Sequence, residues 1–386
     1  MLGDVKAATR DLVELSRTLG ARLRRECAQA GEKAYADAIL DQLAADRLLW
    51  CVAPRRFGGD AASLGDVARV TFHVARHSGS AGLIYAMHMS QALSVVRHGG
   101  DGPFFSAFMD RMTREQALVA SGTSEKGVGG DIFGSRCCIE ADVGGALSLT
   151  KESPNISYLD RAGAILVSAL HLQSDGRKSQ VLVAVDREAM DLRPGAGGDF
   201  IGMRGILNRP YAFTARVNPS AIFADSYPVI ARKTMTPVIH VLWAALWSGI
   251  ASCVLSKTKA YLTREASTTA EAGPLMWADL SRLTDKHYQM NAIIRDAIAA
   301  QDGRSADGMG LLRTAQIKRL KIVCSDLLQE ICLGALGIVG MRGYAEGGPY
   351  SLSEPLRDAL SAKVMISNYR LLVGNTQIER YIEDVV

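Results

Sequence analysis

The sequence predicts an α+β fold of three units in the order helices, strands, helices, with boundaries at 1–116, 117–228 and 229–386. That order follows from three features. Apolar residues recur at helical spacing from Asp4 to about Gln116. Short β-type segments separated by turn residues fill Ala117 to about Pro228. Long helical patterns return from Tyr227 onward. At 386 residues and 41.4 kDa the chain is too long for one ordinary core, so two or three packed units are expected.

The first unit opens on "MLGDVKAATRDLVELSRTLG", an amphipathic helix rather than a signal peptide. "ILDQLAADRLLWCVA" and "DVARVTFHVARHSG" continue the helical pattern, punctuated at "APRRFGGDAASLG" and "RHGGDGPF". In the second unit "RCCIEADV", "ALSLTKE", "AGAILVSALHL", "SQVLVAVD" and "PYAFTARV" read as strands of a mostly antiparallel sheet or barrel. No helix alternates with them, which disfavours a parallel nucleotide-binding sheet. The third unit holds long helices with wide apolar stripes, which pack as a bundle and favour an oligomer. Its most apolar stretch, "PVIHVLWAALWSGIASCVL", contains His240, Ser248 and Ser252, which favours a buried core helix over a membrane span.

Hydrophobic residues at 48% and charged residues at 22% place the chain among globular proteins rather than disordered ones. The net charge of +4 comes from mixed signs without a long basic run, which argues against a nucleic-acid surface. Seven cysteines without a C-x-x-C pair give neither a disulfide nor a zinc framework, and point to a reduced, cytoplasmic setting.

Few residues stand out as chemistry. The glycine-rich "TSEKGVGGD" follows a strand and suits either a close-pressed ligand or a plain sheet-edge turn. His73 and His77 are four apart on a predicted helix but lack the glutamate of a zinc protease. His88, His240, Trp243 and Trp247 sit on apolar helix faces and read first as core. Gly334, Gly337, Gly340 and Gly343 form a ladder that asks for a close neighbour, either a helix or a ligand. In "NYRLLVGNTQIERYIEDVV" a break at Gly374–Asn375 is expected, followed by a helix N-terminus carrying Asn375, Thr376 and Gln377, suited to an anionic ligand.

Taken in order, these pieces resemble the acyl-CoA dehydrogenase superfamily of flavoproteins. "LWCVAPRRFGG", "SGTSEKGVGGD", "IGMRGILNRPYAFTARVNPSAIF", "LGIVGMRGYAEGGPYSLSEPLRDA" and "VGNTQIER" are similar to five family segments, in register over nearly the whole chain. The resemblance implies a helical domain, a β-barrel and a C-terminal four-helix bundle, assembled as a homodimer or homotetramer. It also implies a flavin, FAD or FMN, held by Gly122, Thr123, Ser124 and Ser157. Arg264 and the run Gly337, Ile338, Val339, Gly340 and Met341 would meet its adenosine end across a subunit interface. Asn375, Thr376 and Gln377 would close over it.

The departures bear on chemistry. The family's catalytic glutamate aligns with Val373 from the tail, or near Ile366 from Arg357–Asp358, and neither can accept a proton. A base carried on the first long C-terminal helix would fall near Ile239 or His240, so His240 is the candidate. Arg264 lacks the Phe-Gly that usually follows. The leading expectation is oxidation of an acyl thioester, on coenzyme A or a carrier protein, with electrons passed to an electron-transfer flavoprotein. One alternative is a monooxygenase fed with reduced flavin by a reductase, with Ser157, Ser367, Asn368 and Tyr369 as polar groups. The other is a non-catalytic subunit of a heteromeric dehydrogenase.

Overall fold

The computed structural model describes residues 11–26, 31–128, 133–172, 176–265, 273–302 and 310–381. The first helices are α1 (Leu12–Glu26), α2 (Glu32–Ala45), α3 (Leu64–Ala75), α4 (Gly79–His98) and α5 (Pro103–Glu115). Local chemistry fixes their ends. Ser63 and Asp66 form a reciprocal capping box on α3, Ser78 accepts the Ala81 N–H on α4, and Pro103 opens α5. Between α2 and α3 the chain doubles back at Gly58–Gly59. Gly58 has φ +81°, and a Cβ on Gly59 would lie 2.1 Å from the Ala53 carbonyl oxygen, so the turn needs both glycines.

Because α3 stops at Ala75, His73 and His77 do not share a helix face. The expected i, i+4 pair is therefore corrected: the chain leaves the helix at Arg76 before a second imidazole can be presented.

The strands are β1 (Leu118–Gly122), β2 (Ile139–Ala141), β3 (Leu147–Ser157), β4 (Ala162–Leu172), β5 (Lys178–Asp186), β6 (Met190–Pro194) and β7 (Asn208–Val217). They form two sheets, β1-β4-β5 and β2-β3-β7-β6. Every pairing is antiparallel except β1 with β4, which is parallel.

The C-terminal unit begins with the short α6 (Tyr227–Ile230), which widens into a π-type turn over Ala231–Met235 before α7 (Thr236–Arg264). Then come α8 (Gly273–Asp302), α9 (Leu311–Val339), α10 (Met341–Tyr344), α11 (Ser353–Val364) and α12 (Asn368–Glu379). The bundle is α7, α8, α9 and the pair α11–α12. Two helical stretches, Tyr227–Arg264 and Leu312–Val339, are long and apolar enough to cross a membrane. The first is used as core, with 78% of its most apolar window buried among α3, α4, α8, α9 and α11. The second is only 50% buried and leaves Val323 and Leu333 exposed.

The break expected at Gly374–Asn375 is absent. α12 runs unbroken through both residues, and Gly374 lies where a Cβ would come within 3.0 Å of Lys318 Nζ on α9. Gly374 is a glycine inside a helix that packs on α9, not a chain reversal. Asn375, Thr376 and Gln377 therefore do not open a helix, and the N-terminal anion site read from the sequence is withdrawn.

His88 fastens the first unit to the second. Its Nδ1 accepts the Val119 N–H at 3.0 Å, which fixes the proton on Nε2, facing the Leu49 carbonyl oxygen at 2.6 Å. Burial pushes its pKa down to about 4, in keeping with the neutral form this bridge needs.

Candidate functional site

The end of β1 and the end of β3 make one polar rim. Thr123 lies against the Ser121 hydroxyl at 3.2 Å and shares a hydrogen bond with the phenol of Tyr227, whose pKa burial pushes up to about 12. Ser124 Oγ meets Ser153 Oγ at 2.6 Å and the Asn155 carbonyl at 2.7 Å, so the loop folds onto the β3 bulge. Two residues further on, Ser157 Oγ donates to Asn208 Oδ1 at 2.7 Å. The structure thus places Gly122, Thr123 and Ser124 at the end of β1 and Ser157 at the end of β3, beside the bulge that Ser124 bonds. Residues 129–132, the rest of the glycine-rich loop, lie outside the described residues.

Beneath this rim is a buried ion pair that sequence reasoning missed. The Glu125 carboxylate accepts the N–H groups of Arg136 and Cys137 and the Ser135 hydroxyl. Lys151 Nζ lies 3.5 Å from it and also donates to the Ser168 carbonyl at 2.6 Å, with both side chains almost wholly buried. Burial holds the Lys151 pKa below its usual range, opposed by the nearby Cys137 and Glu125.

A second polar group lies at one end of the bundle. His240, Trp243 and Trp247 follow one face of α7 toward α9, with His240 stacked on Trp243 at 5.9 Å and the Trp247 ring tilted against Trp243 at 6.3 Å. His240 Nδ1 donates to the Ile317 carbonyl at 3.2 Å, which leaves Nε2 as an acceptor. Burial pushes this imidazole down to about 4. Opposite stands Lys321 of α9, its side chain fully buried. It donates to the Ile366 carbonyl at 2.8 Å and to Asn368 Oδ1 at 2.6 Å, and its Nζ is 5.8 Å from the Trp247 ring. Asn368 in turn donates to Ser325 Oγ at 2.9 Å. The signal for Lys321 was available: a lone cation on the stripe that Ile317, Cys324 and Leu328 make apolar.

Other residues singled out here face elsewhere. Val373 is 46% exposed and Tyr369 77% exposed. Thr376 bonds back to the Val373 carbonyl, and Gln377 is exposed. Asn375 is buried against α9. Among the described residues no hydrogen bond joins α12 to Thr123, Ser124 or Ser157.

The remaining predicted contacts lie at the far end of the bundle. With α8 running back between them, α7 and α9 are parallel, so Arg264 and the run Gly337–Met341 come to the same end. There Arg342 pairs with Glu265, and Tyr350 donates to Glu265 at 3.3 Å. Along a helix rising 1.5 Å per residue, Gly337 is about 28 Å from Lys318, beside which Gly374 and Asn375 pack. The ladder also divides by role. A Cβ on Gly334 would strike Leu283 at 2.6 Å, whereas one on Gly337 would meet nothing within 4 Å. Gly340 ends α9 at φ +63° and also faces open space. A cavity of about 340 Å³ lies apart from all these residues, between Arg76, Ile250, Cys253, Lys257 and Glu354.

No family model matches the chain, and no curated protein matches it in sequence. Solved structures do match over nearly its whole length. Butyryl-CoA dehydrogenase from Megasphaera elsdenii is 17% identical with a TM-score of 0.81, covering 98% of this chain and 99% of its own. FMN-bound TdsC from Paenibacillus sp. A11-2 is 18% identical with a TM-score of 0.80, covering 95% and 96%. Nitrososynthase from Micromonospora carbonacea var. africana is 19% identical with a TM-score of 0.79, covering 99% of each chain. The chain has the acyl-CoA dehydrogenase fold. At these identities the likeness is one of fold.

Proposed function

We propose that this protein is a flavin-dependent oxidoreductase of the oxygenating kind, using flavin supplied in reduced form by a partner reductase. The carrying observation is the α11–α12 turn. Its buried titratable group is Lys321, Val373 faces outward, and among the described residues no carboxylate lies within ion-pair distance of Lys321. A carboxylate base for an acyl thioester has no support there. TdsC, one of the fold's solved examples, is a dibenzothiophene monooxygenase.

The residues present suit a flavin by their chemistry. The β rim offers three hydroxyls beside the end of β1, and buried polar atoms at the bundle end lack partners. Gly337 and Gly340 leave backbone open to close approach. A bound flavin would supply two-electron exchange with substrate and, when reduced, reactivity toward oxygen. Thr123, Ser124 and Ser157 would orient the ring, Glu125 and Lys151 would hold their loop, and Trp243 and Trp247 would keep water out. FAD is favoured over FMN only if Arg264 and Gly337–Met341 take part.

Asn375, packed beside Lys318, and the Gly337–Met341 run sit too far apart along α9 to meet one cofactor within a protomer. A second copy would then bring its Gly337–Met341 end to that cofactor, as a homodimer or homotetramer. Gly337→Leu is expected to leave the packing of the bundle within a protomer undisturbed while lowering FAD affinity and shifting the protein toward monomer in light scattering. Gly334→Leu should instead destabilise the bundle by about 1–3 kcal/mol through overpacking on Leu283. Tight FAD binding by a stable Gly337→Leu monomer would rule out the shared site.

One observation favours dehydrogenation instead: His240 Nε2 is bare, buried and without a partner. Oxygen separates the two readings. Product formed only from externally reduced flavin plus oxygen supports the oxygenase. Anaerobic bleaching of bound flavin by an acyl-CoA, slowed in His240→Ala, would overturn it.

A further inference from the structure

We propose that Lys321 is the cationic partner of an anionic ligand: a carboxylate, phenolate or enolate on a planar ring, held between α7, α9 and the α11–α12 turn. The inference rests on reading that region as the substrate side of a flavin site.

A fully buried ammonium is costly by several kcal/mol unless it is paired. Lys321 has no carboxylate partner among the described residues. On α9, Asp326 pairs with Lys363 of α11 at 2.8 Å, and Arg319 pairs with Glu379 of α12 at 2.9 Å. The other titratable groups facing this region are Lys318 and neutral His240. Burial pushes the Lys321 ammonium down to about 8.

The acceptors Lys321 does have come from a strained turn. Ile366, whose carbonyl it holds, is β-branched with φ +48°, a strained conformation for such a side chain. An anion that took over from the Ile366 carbonyl would let this turn relax.

On the helices α7 and α12 that pack against α9, hydrogen-bonding capacity is unused. The indole N–H groups of Trp243 and Trp247, His240 Nε2 and Asn375 Oδ1 are all buried without a partner. Each such vacancy is unfavourable. Two of the four are donors, and with Lys321 they make a set that an anionic oxygen can satisfy. The rings of Trp243 and Trp247 add an aromatic surface for the body of the ligand. A neutral alkyl chain would satisfy none of these groups.

Two of the chain's four tryptophans lie in this site, so intrinsic fluorescence reports on it directly. The protein would be titrated with 4-nitrobenzoate and with uncharged 4-nitrobenzamide. Near neutral pH the acid should quench saturably and bind about tenfold or more tightly than the amide. The preference should fade above about pH 8, as Lys321 loses its proton. Lys321→Met should abolish the preference and Lys321→Arg should keep most of it. Equal binding of the two probes by the unaltered protein would overturn the proposal, leaving water to fill the vacancies, and so would a preference that survives in Lys321→Met. Flavin uptake is followed separately by visible absorbance. Uptake without acid preference removes this inference alone; acid preference without uptake removes the redox reading alone.

Discussion

Replacing Lys151 with methionine is expected to lower the unfolding free energy by about 3–5 kcal/mol, because it strands a buried carboxylate. Glu125 would keep its bonds from Arg136, Cys137 and Ser135 but lose the ammonium 3.5 Å away. The same change frees the loop that carries Thr123 and Ser124, so flavin affinity should fall with stability. Converting Glu125 to leucine as well removes the stranded charge and should recover part of the loss. Urea unfolding of the single and double variants checks both statements. A single variant as stable as the parent would mean that the pair is hydrated and contributes little.

His88→Ala should cost about 2–6 kcal/mol, since it leaves the Val119 N–H and the Leu49 carbonyl buried without partners. Its effect should depend on pH. In the fold His88 stays neutral down to about pH 4, whereas an imidazole in the unfolded chain takes up a proton near 6.5. Its contribution is therefore complete above about pH 6.5 and falls by about 3 kcal/mol as the pH drops toward 4. His240 behaves in the same way. Asp358 acts in the opposite sense, because burial raises its carboxyl to about 7 and its contribution is lost as pH rises from 3.8 through that value. Two histidines against one carboxyl leave a net loss on acidification. The gap between parent and His88→Ala should narrow from pH 7 to pH 4 in denaturant titrations. A constant gap would show that His88 titrates alike in the folded and unfolded chains.

Much of the fold was legible because its periodicities are long. Strands β2, β3, β4, β5 and β7 and the three long bundle helices all carry patterns of their own. β6, "MDLRP", is five residues ending in proline, too short to alternate convincingly. The π-type turn at Ala231–Met235 leaves no mark on apolar spacing. The false break at Gly374 came from treating glycine as punctuation, when here it lies inside a continuous helix.

The site was legible only where it is local. Thr123 and Ser124 precede a glycine-rich stretch, and Ser157 lies at the end of a strand, so each could be picked out from its neighbours in sequence. Lys321 and Asn368 are far apart in sequence and meet only because α12 folds back along α9. The separation of Arg264 and Gly337–Met341 from the α12 contacts could be seen only once the helix directions were known.

Flavin binding by the purified full-length protein, followed by visible absorbance and by quenching of flavin fluorescence, tests the central claim most directly. The protein should take up FAD or FMN saturably, and Ser124→Ala should weaken that uptake without altering the fold seen by circular dichroism. A folded protein that binds neither flavin, oxidised or reduced, would contradict the account.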